Sequence, residues 1–288
     1  TFSGSLTVSS STSSKTYVPD DNFEQALIDL GYDNVLDDYV LTSSIEQIND
    51  LDLSGKQISD LTGIKDFEDL EILDVSDNNL SLFNPANLTD YIEEINLREN
   101  DISEFIMDNG NYWGVLETLD LSSNPIQNIV VKDLGDLMTL KCESCTSLAS
   151  ITLENLSDLY ELKVTGSQLE IIDLSKNGSD LYDIGGTVDL RNNQSLECIK
   201  ILDGYLNQIP QTWLKDNSAS YSTTPCVLSC TISGTLTSAV GSDSQTVSMS
   251  TAITNIEYTL TTTCSDTLNA AIAWTPSTPN GVSMSFSN

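Results

Sequence analysis

The sequence predicts a solenoid of the α/β class, with short parallel strands and a cap at each end, followed by a small all-β domain. An eleven-residue pattern, Leu-x-x-Leu-x-Leu-x-x-Asn-x-Leu with aliphatic substitutions, recurs between residues 45 and 196. Its copies start at positions 48, 70, 92, 116, 137 and 159, so they recur at steps of about 22 residues. After residue 226 the chain changes to Gly, Ser, Thr and alternating apolar residues. A sustained period of this length is typical of a repeat architecture.

The repeated pattern is the leucine-rich-repeat signature. Its x-Leu-x-Leu-x part alternates with period two, which predicts a short strand whose leucines point to one side. One repeat cannot bury its own leucines, so stacked repeats share a continuous core. The recurring Asn lies where the chain turns away from the strand, and its amide can satisfy backbone groups of neighbouring turns. Cys145 and Ser167 replace this Asn in two copies.

Residues 16–44 precede the repeats and predict a helical cap. The segment Pro19-Asp20-Asp21 places acidic residues at the positive end of a helix, and Gly31 ends the helix. We expect one apolar face, formed by Phe23, Leu27 and Leu30. Such a helix covers the first repeat, whose edge an open solenoid would otherwise expose.

The outward positions of the repeat strands line the concave face, where repeat proteins usually bind ligands. The central column of this face consists of Asp52, Asp74, Asn96, Asp120, Lys141, Lys163 and Asp189. Glu71, Glu93, Glu94 and Glu117 flank its first half, so that half is acidic and the second half is mixed. The column indicates either a site for a cation or basic partner, or the solvated face of a very acidic protein. No loop matches the calcium pattern Asp-x-Asp-x-Asp-Gly, although the acidic face leaves calcium binding open as an alternative to no cofactor.

Composition restricts the classes of function. The chain has 288 residues, 43 of them acidic and 11 basic, and a net charge of −32. That charge argues against nucleic acid or an anionic membrane as a partner. The absence of histidine removes the commonest general base and metal ligand, so we expect no enzyme activity. The sequence contains no run of 18 apolar residues, so we predict no transmembrane helix. Because the chain begins at Thr1 rather than Met, we expect a processed segment of a longer precursor.

Six cysteines occur in the chain. In an exported protein their placement predicts two disulfides, Cys198–Cys226 at the end of the solenoid and Cys230–Cys264 in the last domain. Cys142 and Cys145 occupy inward positions of a repeat, where we expect core thiols, with a local disulfide as the alternative. Too few further ligands lie nearby in sequence to favour zinc.

Residues 197–226 predict the C-terminal cap, and here the sequence resembles a known family. The opening Tyr17-Val-Pro-Asp-Asp-Asn-Phe-Glu, the repeats of about 22 residues, and the ending with Cys198-Ile, Trp213-x-Lys-Asp and Cys226 carry the likeness. Together they resemble secreted leucine-rich-repeat proteins of Bacteroidota, flavobacteria especially, over residues 17–226. The resemblance implies this fold and a secreted or cell-surface location. It implies no catalytic residues.

Residues 227–288 predict a different module. Alternating apolar residues and the Asn280-Gly281 turn signal favour a β-sandwich. The segment from Gln245 resembles the immunoglobulin-like repeats of flavobacterial surface adhesins. About 60 residues is short for such a sandwich of about 100, so we expect a missing strand. Asp266-Thr267-Leu268 resembles the short acceptor of Bacteroidota O-glycosylation, which makes Thr267 a candidate site.

Residues 1–15 predict a β-strand with Phe2, Leu6 and Val8, followed by a Ser/Thr-rich linker. The start, Thr1-Phe-Ser-Gly-Ser-Leu-Thr, echoes Thr231-Ile-Ser-Gly-Thr-Leu-Thr at the start of the last domain. We hypothesise that residues 1–12 of one copy complete the sandwich of another, which would build a head-to-tail fibre. The alternatives are a leader that packs on its own domain, a sandwich cut short, and covalent tandem repeats of the whole unit.

These observations favour a non-catalytic extracellular structural or adhesive protein whose partners are copies of itself. The alternative is a monomeric surface module that uses the acidic concave face for a protein, glycan or cation. Aromatic residues for sugar stacking are sparse on that face, where Tyr160 is the clear candidate. This scarcity weakens the glycan interpretation.

Overall fold

A computed structural model describes residues 14–108, 115–183 and 185–226, together with two strands further on. The chain divides into two compact units, Thr1–Cys226 and Val227–Asn288. The second unit contains the strands Ile232–Leu236 and Tyr258–Thr262, which pair in antiparallel orientation. The rest of the predicted sandwich lies outside the described residues.

The elements of the first unit follow in chain order. The N-terminal cap contains β1 (Lys15–Tyr17), α1 (Asp21–Asp29), β2 (Tyr39–Leu41) and α2 (Thr42–Ile45). The repeats and the C-terminal cap contain β3 (Asp50–Asp52), β4 (Ile72–Asp74), β5 (Glu94–Asn96), β6 (Glu104–Met107), β7 (Thr118–Asp120), β8 (Asn128–Lys132), β9 (Thr139–Glu143), β10 (Ser150–Glu154), β11 (Glu161–Thr165), β12 (Ile171–Asp173), β13 (Thr187–Leu190), β14 (Cys198–Lys200), β15 (Leu214–Lys215) and β16 (Ser220–Ser222). Short 3-10 turns span Ile64–Asp66, Pro85–Asn87 and Asp180–Tyr182.

Eight parallel strands form one continuous sheet, called the long sheet below, in the order β3-β4-β5-β7-β9-β11-β13-β15. Each repeat contributes one strand, as the eleven-residue pattern predicts. Two shorter parallel sheets, β6-β8-β10 and β12-β14-β16, are built from the return segments of the repeats. The predicted leucine-rich-repeat solenoid is therefore confirmed.

The expectation of an α/β class is wrong for the repeats. Among described residues 46–226, the return segments form strands and 3-10 turns of three residues, with no α-helix. The physical reason lies in the return sequences, where Ile129-Val130-Val131 is β-branched and fits a strand better than a helix. A step of about 22 residues also leaves little room for a helix after two turns and a strand.

The leucines of the long sheet stack in register through the whole solenoid. Leu51 pairs with Leu73, Leu73 with Ile95, and Ile95 with Leu119 across neighbouring strands. The same inward position, at most 1% exposed in every repeat, is filled by Leu51, Leu73, Ile95, Leu119, Leu140, Leu162 and Val188. The core is thus one column of aliphatic side chains that no single repeat could bury alone.

Buried asparagines hold the turns of successive repeats together. Asn124 is 2% exposed; its Oδ1 accepts the Ile102 N–H at 3.0 Å, and its Nδ2 donates to Leu97 O at 2.8 Å and Leu121 O at 3.1 Å. Each amide therefore satisfies backbone groups of its own repeat and of the preceding one. The equivalent residues Asn78, Asn100 and Asn193 form the same kind of bonds.

Cys142 and Cys145 form a disulfide, so the expectation of free core thiols is wrong. Both residues are 0% exposed, and their Cα atoms lie 5.6 Å apart. Ser144, between them, adopts the left-handed conformation with φ 61°, which turns the chain tightly enough to bring the two sulfurs together. Cys145 occupies the asparagine position, and its disulfide sulfur carries no proton to donate. A covalent bond thus fixes the turn that an amide fixes in other repeats.

The N-terminal cap is joined to the first repeat through Asp20. Its Oδ1 accepts the N–H groups of Asn22 and Phe23 at 3.0 Å, and its Oδ2 accepts the N–H and Oγ of Ser59 and the N–H of Asp60. Burial raises the pKa of the Asp20 carboxyl, but these hydrogen bonds outweigh burial and hold the pKa below its ordinary value.

The apolar face of α1 differs in one position from the prediction. Phe23 and Leu27 are fully buried as expected, whereas Leu30 is 45% exposed. Leu30 is the C-cap of the helix, where the chain leaves the core. Ala26, one residue before Leu27, is buried instead.

The C-terminal cap is closed by the Cys198–Cys226 disulfide, which joins the two cysteines that the sequence analysis paired. An aromatic cluster lies beneath it, in which Tyr182 packs between Tyr205 and Trp213 with ring centroids 4.5 and 5.0 Å away. Trp213 Nε1 donates to Leu181 O at 3.1 Å. Burial raises the pKa of Tyr182 to about 12, so this hydroxyl stays protonated at neutral pH.

We expect Asn124→Ala to lower the free energy of unfolding by about 2–4 kcal/mol, because it leaves buried backbone groups without partners. Urea denaturation followed by circular dichroism measures the change. Asn79→Ala is the matched control, since Asn79 is exposed and its side-chain amide donates to Gln57 O at 3.2 Å. Equal effects of the two substitutions would contradict the role of the buried amides.

We expect Asp20→Ala to lower the free energy of unfolding by about 2–3 kcal/mol near neutral pH, through the lost helix cap and the lost bonds to the first repeat. Because folding lowers this pKa, the advantage of the wild type is complete above the unfolded value of 3.8 and is lost as pH falls through the folded value. Denaturation at several pH values measures it, with Asp101→Ala as an exposed control. A pH-independent difference between pH 2 and 7 would refute the assignment.

Candidate functional site

The structure brings the seven predicted face residues into one column. Asp52 lies in register with Asp74, Asp74 with Asn96, and Asn96 with Asp120. The column continues in register through Lys141, Lys163 and Asp189. Adjacent strands are about 4.8 Å apart, so these side chains form a continuous stripe, called the central column below.

The acidic members of the central column have a local structural role that sequence reasoning missed. Asp52 Oδ1 accepts the Ser54 N–H at 2.9 Å, and Asp120 Oδ1 accepts the Ser122 N–H at 2.9 Å. Asp74, Asn96 and Asp189 accept the N–H two residues ahead in the same way. The side-chain oxygen thereby satisfies the backbone where the strand ends. An Asp or Asn followed two residues later by a turn is the signal that could have revealed it.

The length of each strand of the long sheet depends on whether its central-column residue can accept this hydrogen bond. Strands with Asp or Asn in the central column end within one residue of it, as in β3, β4, β5, β7 and β13. The strands β9 and β11, which carry Lys141 and Lys163, continue for two residues further. Lysine has no acceptor to cap the strand end, so the ladder extends. The turn therefore requires an oxygen acceptor at these column positions, and the neutral Asn96 supplies one without a charge.

A second column lies at the start of the same strands and is called the rim column below. Its neighbours are linked through the backbone: Glu93 N–H donates to Glu71 O at 2.7 Å, and Glu117 N–H donates to Glu93 O at 2.8 Å. Met138 and Tyr160 continue this column through bonds of 2.9 Å. Three glutamates are thus followed by two large apolar side chains, which are 45% and 38% exposed.

The two halves of the long-sheet face differ in electrostatics. Among the described residues, no Lys or Arg lies within 4.0 Å of the carboxylates of β3, β4, β5 and β7 or of Glu71, Glu93 and Glu117. In the other half Lys163 pairs with Glu161 at 2.6 Å and Arg191 with Asp189 at 2.6 Å. Hydrogen bonds from Ser54 lower the pKa of Asp52, which keeps its carboxyl charged at neutral pH. We call the face of β3, β4, β5 and β7 the acidic half.

Among the described residues, a cluster of three acidic side chains lies in the N-terminal cap rather than on the long sheet. Oxygen atoms of Asp21, Glu24 and Asp38 lie within 4.8 Å of one another. Glu24 is fully buried, and its carboxylate accepts the N–H groups of Asp37, Asp38 and Tyr39 at 2.8 to 3.1 Å. This carboxylate is therefore engaged in folding the 37–39 turn. The cap cluster does not coincide with the predicted face.

Several predicted sites lie outside the described residues. They are the assembly strand with Phe2, Leu6 and Val8, the Cys230–Cys264 disulfide, and Thr267. Head-to-tail assembly consequently stays a prediction. Among the helices of the described residues, none combines the length and apolar character needed to cross a bilayer.

We expect Asp120→Asn to leave the free energy of unfolding unchanged within about 0.5 kcal/mol, because an amide oxygen accepts the Ser122 N–H as a carboxylate does. Asn96 already performs this role in the neighbouring strand. Asp120→Ala should cost about 1 kcal/mol, since the acceptor is lost. Urea denaturation of both variants measures the difference. An equal loss in the two variants would mean that the charge, not the acceptor, is what the fold requires.

Part of the repeat region matches a known family. The Leucine Rich Repeat family model matches residues 69–90 and 115–137. No curated protein sequence matches the chain. Similar solved structures include an internalin, InlF, from Listeria monocytogenes, at 19% identity and TM-score 0.41, covering 72% of this chain and 71% of that one. Internalin C2 from the same species is 17% identical at TM-score 0.36, covering 72% and 87%. Residues 69–90 and 115–137 are leucine-rich repeats, each contributing one strand to the long sheet.

Proposed function

We propose that the protein is a non-catalytic extracellular binding module of adhesive type, whose recognition surface is the face of the long sheet. The observation that carries this proposal is the acidic half, where stacked carboxylates form no ion pair within 4.0 Å among the described residues. Leucine side chains fill the solenoid core, and asparagine side chains form hydrogen bonds with the backbone groups of its turns. The charge of this face therefore exceeds what the fold needs and is available for a ligand.

The chemistry of the carboxylates supports binding rather than catalysis. A carboxylic acid that acts as a general acid has a raised pKa. Hydrogen bonds from Ser54 lower the pKa of Asp52, and the bond from Arg191 lowers that of Asp189. Both groups are thus poor proton donors at neutral pH. The sequence also contains no histidine to act in their place.

The disulfides support an extracellular location. All four described cysteines are paired, as Cys142–Cys145 and Cys198–Cys226. Stable disulfides form in oxidising compartments and are rare in the cytosol. The second pair closes a loop with a sequence separation of 28 residues, for which a stabilisation of about 3–4 kcal/mol is expected.

The proposal is tested by reversing charge on the recognition surface. The triple variant Glu93→Lys, Glu94→Lys, Glu117→Lys changes three exposed residues of the acidic half. The matched control, Glu68→Lys, Glu104→Lys, Glu170→Lys, makes the same change in net charge at exposed positions outside the long sheet. Biolayer interferometry against a panel of purified extracellular proteins and polysaccharides measures binding.

We expect the wild type and the control to bind the same panel members, and the triple variant to lose at least about tenfold in affinity, because each reversed charge repels what it previously attracted. Circular dichroism confirms that each variant is folded. Retained binding by the triple variant together with loss in the control would place the recognition surface elsewhere and refute the proposal.

A further inference from the structure

We propose that the long-sheet face is a two-part docking surface for a cationic polypeptide segment that carries an apolar side chain. The basic residues of the segment lie over the acidic half, and its apolar residue packs on Met138 and Tyr160. This inference rests on the proposed function and deepens it by naming the chemistry and orientation of the partner.

Two columns of the face change character at the same boundary. In the central column, Asp120 of β7 is followed by Lys141 of β9. In the rim column, Glu117 is followed by Met138, whose N–H donates to Glu117 O at 2.9 Å. The two columns occupy different positions of the repeat, so neither change imposes the other. A surface that binds basic residues on one side and an apolar residue on the other requires both columns to change at the same boundary, here between β7 and β9.

The pair Met138 and Tyr160 is unusual for a solvent-exposed position at the start of a strand. Met138 is 45% and Tyr160 is 38% exposed, and the backbone bond of 2.9 Å between them makes them neighbours on the rim. The preceding members of the same column are glutamates, so the position itself does not demand an apolar residue. Exposed aromatic and methionine side chains are enriched at the centres of protein interfaces.

Repulsion between Glu93 and Glu117 on the rim is a cost that no described partner of these two carboxylates offsets. Like charges directly opposite on neighbouring strands destabilise a sheet. Glu71 accepts one bond from Asn49 Nδ2 at 3.1 Å, whereas the carboxylates of Glu93 and Glu117 have no described hydrogen-bond or ion-pair partner. A cationic ligand removes this repulsion on binding, which makes the acidic half complementary to lysine and arginine.

Other occupants fit the whole face less well. A second copy of this chain, with a net charge of −32, brings like charge to the acidic half. Nucleic acids and anionic membranes are repelled for the same reason. A divalent cation suits the carboxylates but leaves the exposed Met138 and Tyr160 without a role. A basic polypeptide with an apolar anchor uses both halves.

Strand spacing sets the separation between the two parts of the ligand. Glu93 directly precedes β5 and Tyr160 directly precedes β11, so three strand steps, through β7 and β9, separate them. At about 4.8 Å per step the distance is roughly 14 Å. An extended polypeptide covers about 3.3 Å per residue, so about four residues separate the apolar residue from the centre of the basic cluster.

The test uses two fluorescein-labelled peptides, Lys-Lys-Lys-Ser-Ser-Phe and Lys-Lys-Lys-Ser-Ser-Ala, titrated with the full chain and followed by fluorescence anisotropy. The first variant, Glu71→Gln, Glu93→Gln, Glu117→Gln, removes rim charge and keeps the side-chain shape. The second variant is Tyr160→Ala. Its matched control is Tyr39→Ala, an exposed tyrosine of the N-terminal cap.

We expect the Phe peptide to bind the wild type about fivefold more tightly than the Ala peptide at about 20 mM salt, and both to weaken steeply at about 200 mM. The triple Gln variant should lose about tenfold for both peptides. Tyr160→Ala should abolish the advantage of the Phe peptide and keep the affinity for the Ala peptide. Tyr39→Ala should behave as the wild type.

Equal affinity of the two peptides for the wild type, or an advantage of the Phe peptide that survives Tyr160→Ala, overturns the two-part surface. If the Gln variant nevertheless loses binding, the acidic half is still a recognition surface and the proposed function still holds. Failure of the two-part surface can therefore be distinguished from failure of the proposed function. Displacement of both peptides by about 1 mM Ca²⁺ would assign the acidic half to a metal and overturn the proposal. Self-association of the chain that disappears in the Gln variant would assign the acidic half to a second copy of the chain and would also overturn the proposal.

Discussion

Each turn of the solenoid leaves backbone N–H and C=O groups inside the protein, and the rest of the structure depends on satisfying them. Buried asparagines such as Asn124 do this by bonding to two successive repeats at once. An unpaired buried backbone group costs free energy comparable to a lost hydrogen bond, so the amide position is strongly constrained. Where the amide is missing, at Cys145, a disulfide fixes the turn instead.

The same requirement explains why the outer face is available for recognition. Asp52 and Asp120 close the strand ends with one carboxylate oxygen, a task that the neutral Asn96 performs equally well. Their charge is therefore not demanded by the fold. On the rim, Glu93 and Tyr160 occupy equivalent positions although one is charged and the other aromatic. Side chains at such rim positions can differ in chemistry between repeats without changing the backbone. They are therefore suited to determine binding specificity, because rigid strands hold them in place.

Several features were predictable because they depend on local sequence. The helix start at Asp20, the register of the central column and the pairing of Cys198 with Cys226 follow from spacing and capping chemistry. Other predictions failed because neighbours decide them. Leu30 has the helical spacing of a core residue but lies where the helix leaves the core. Cys142 and Cys145 were expected to be thiols because their inward positions suit apolar packing, and only the turn at Ser144 brings the two sulfurs together.

The sequence by itself determined the solenoid, its period and the residues that line its face, because a pattern that recurs at steps of about 22 residues can bury its leucines only by stacking. Tertiary structure decided how the return segments pair and which side chains become neighbours on the face. The β-branched return sequences favour strands, and stacking of successive repeats joins these strands into a sheet, as in β6, β8 and β10. The adjacency of Glu117 to Met138 depends on where successive turns of the chain place their backbones, which no single repeat encodes.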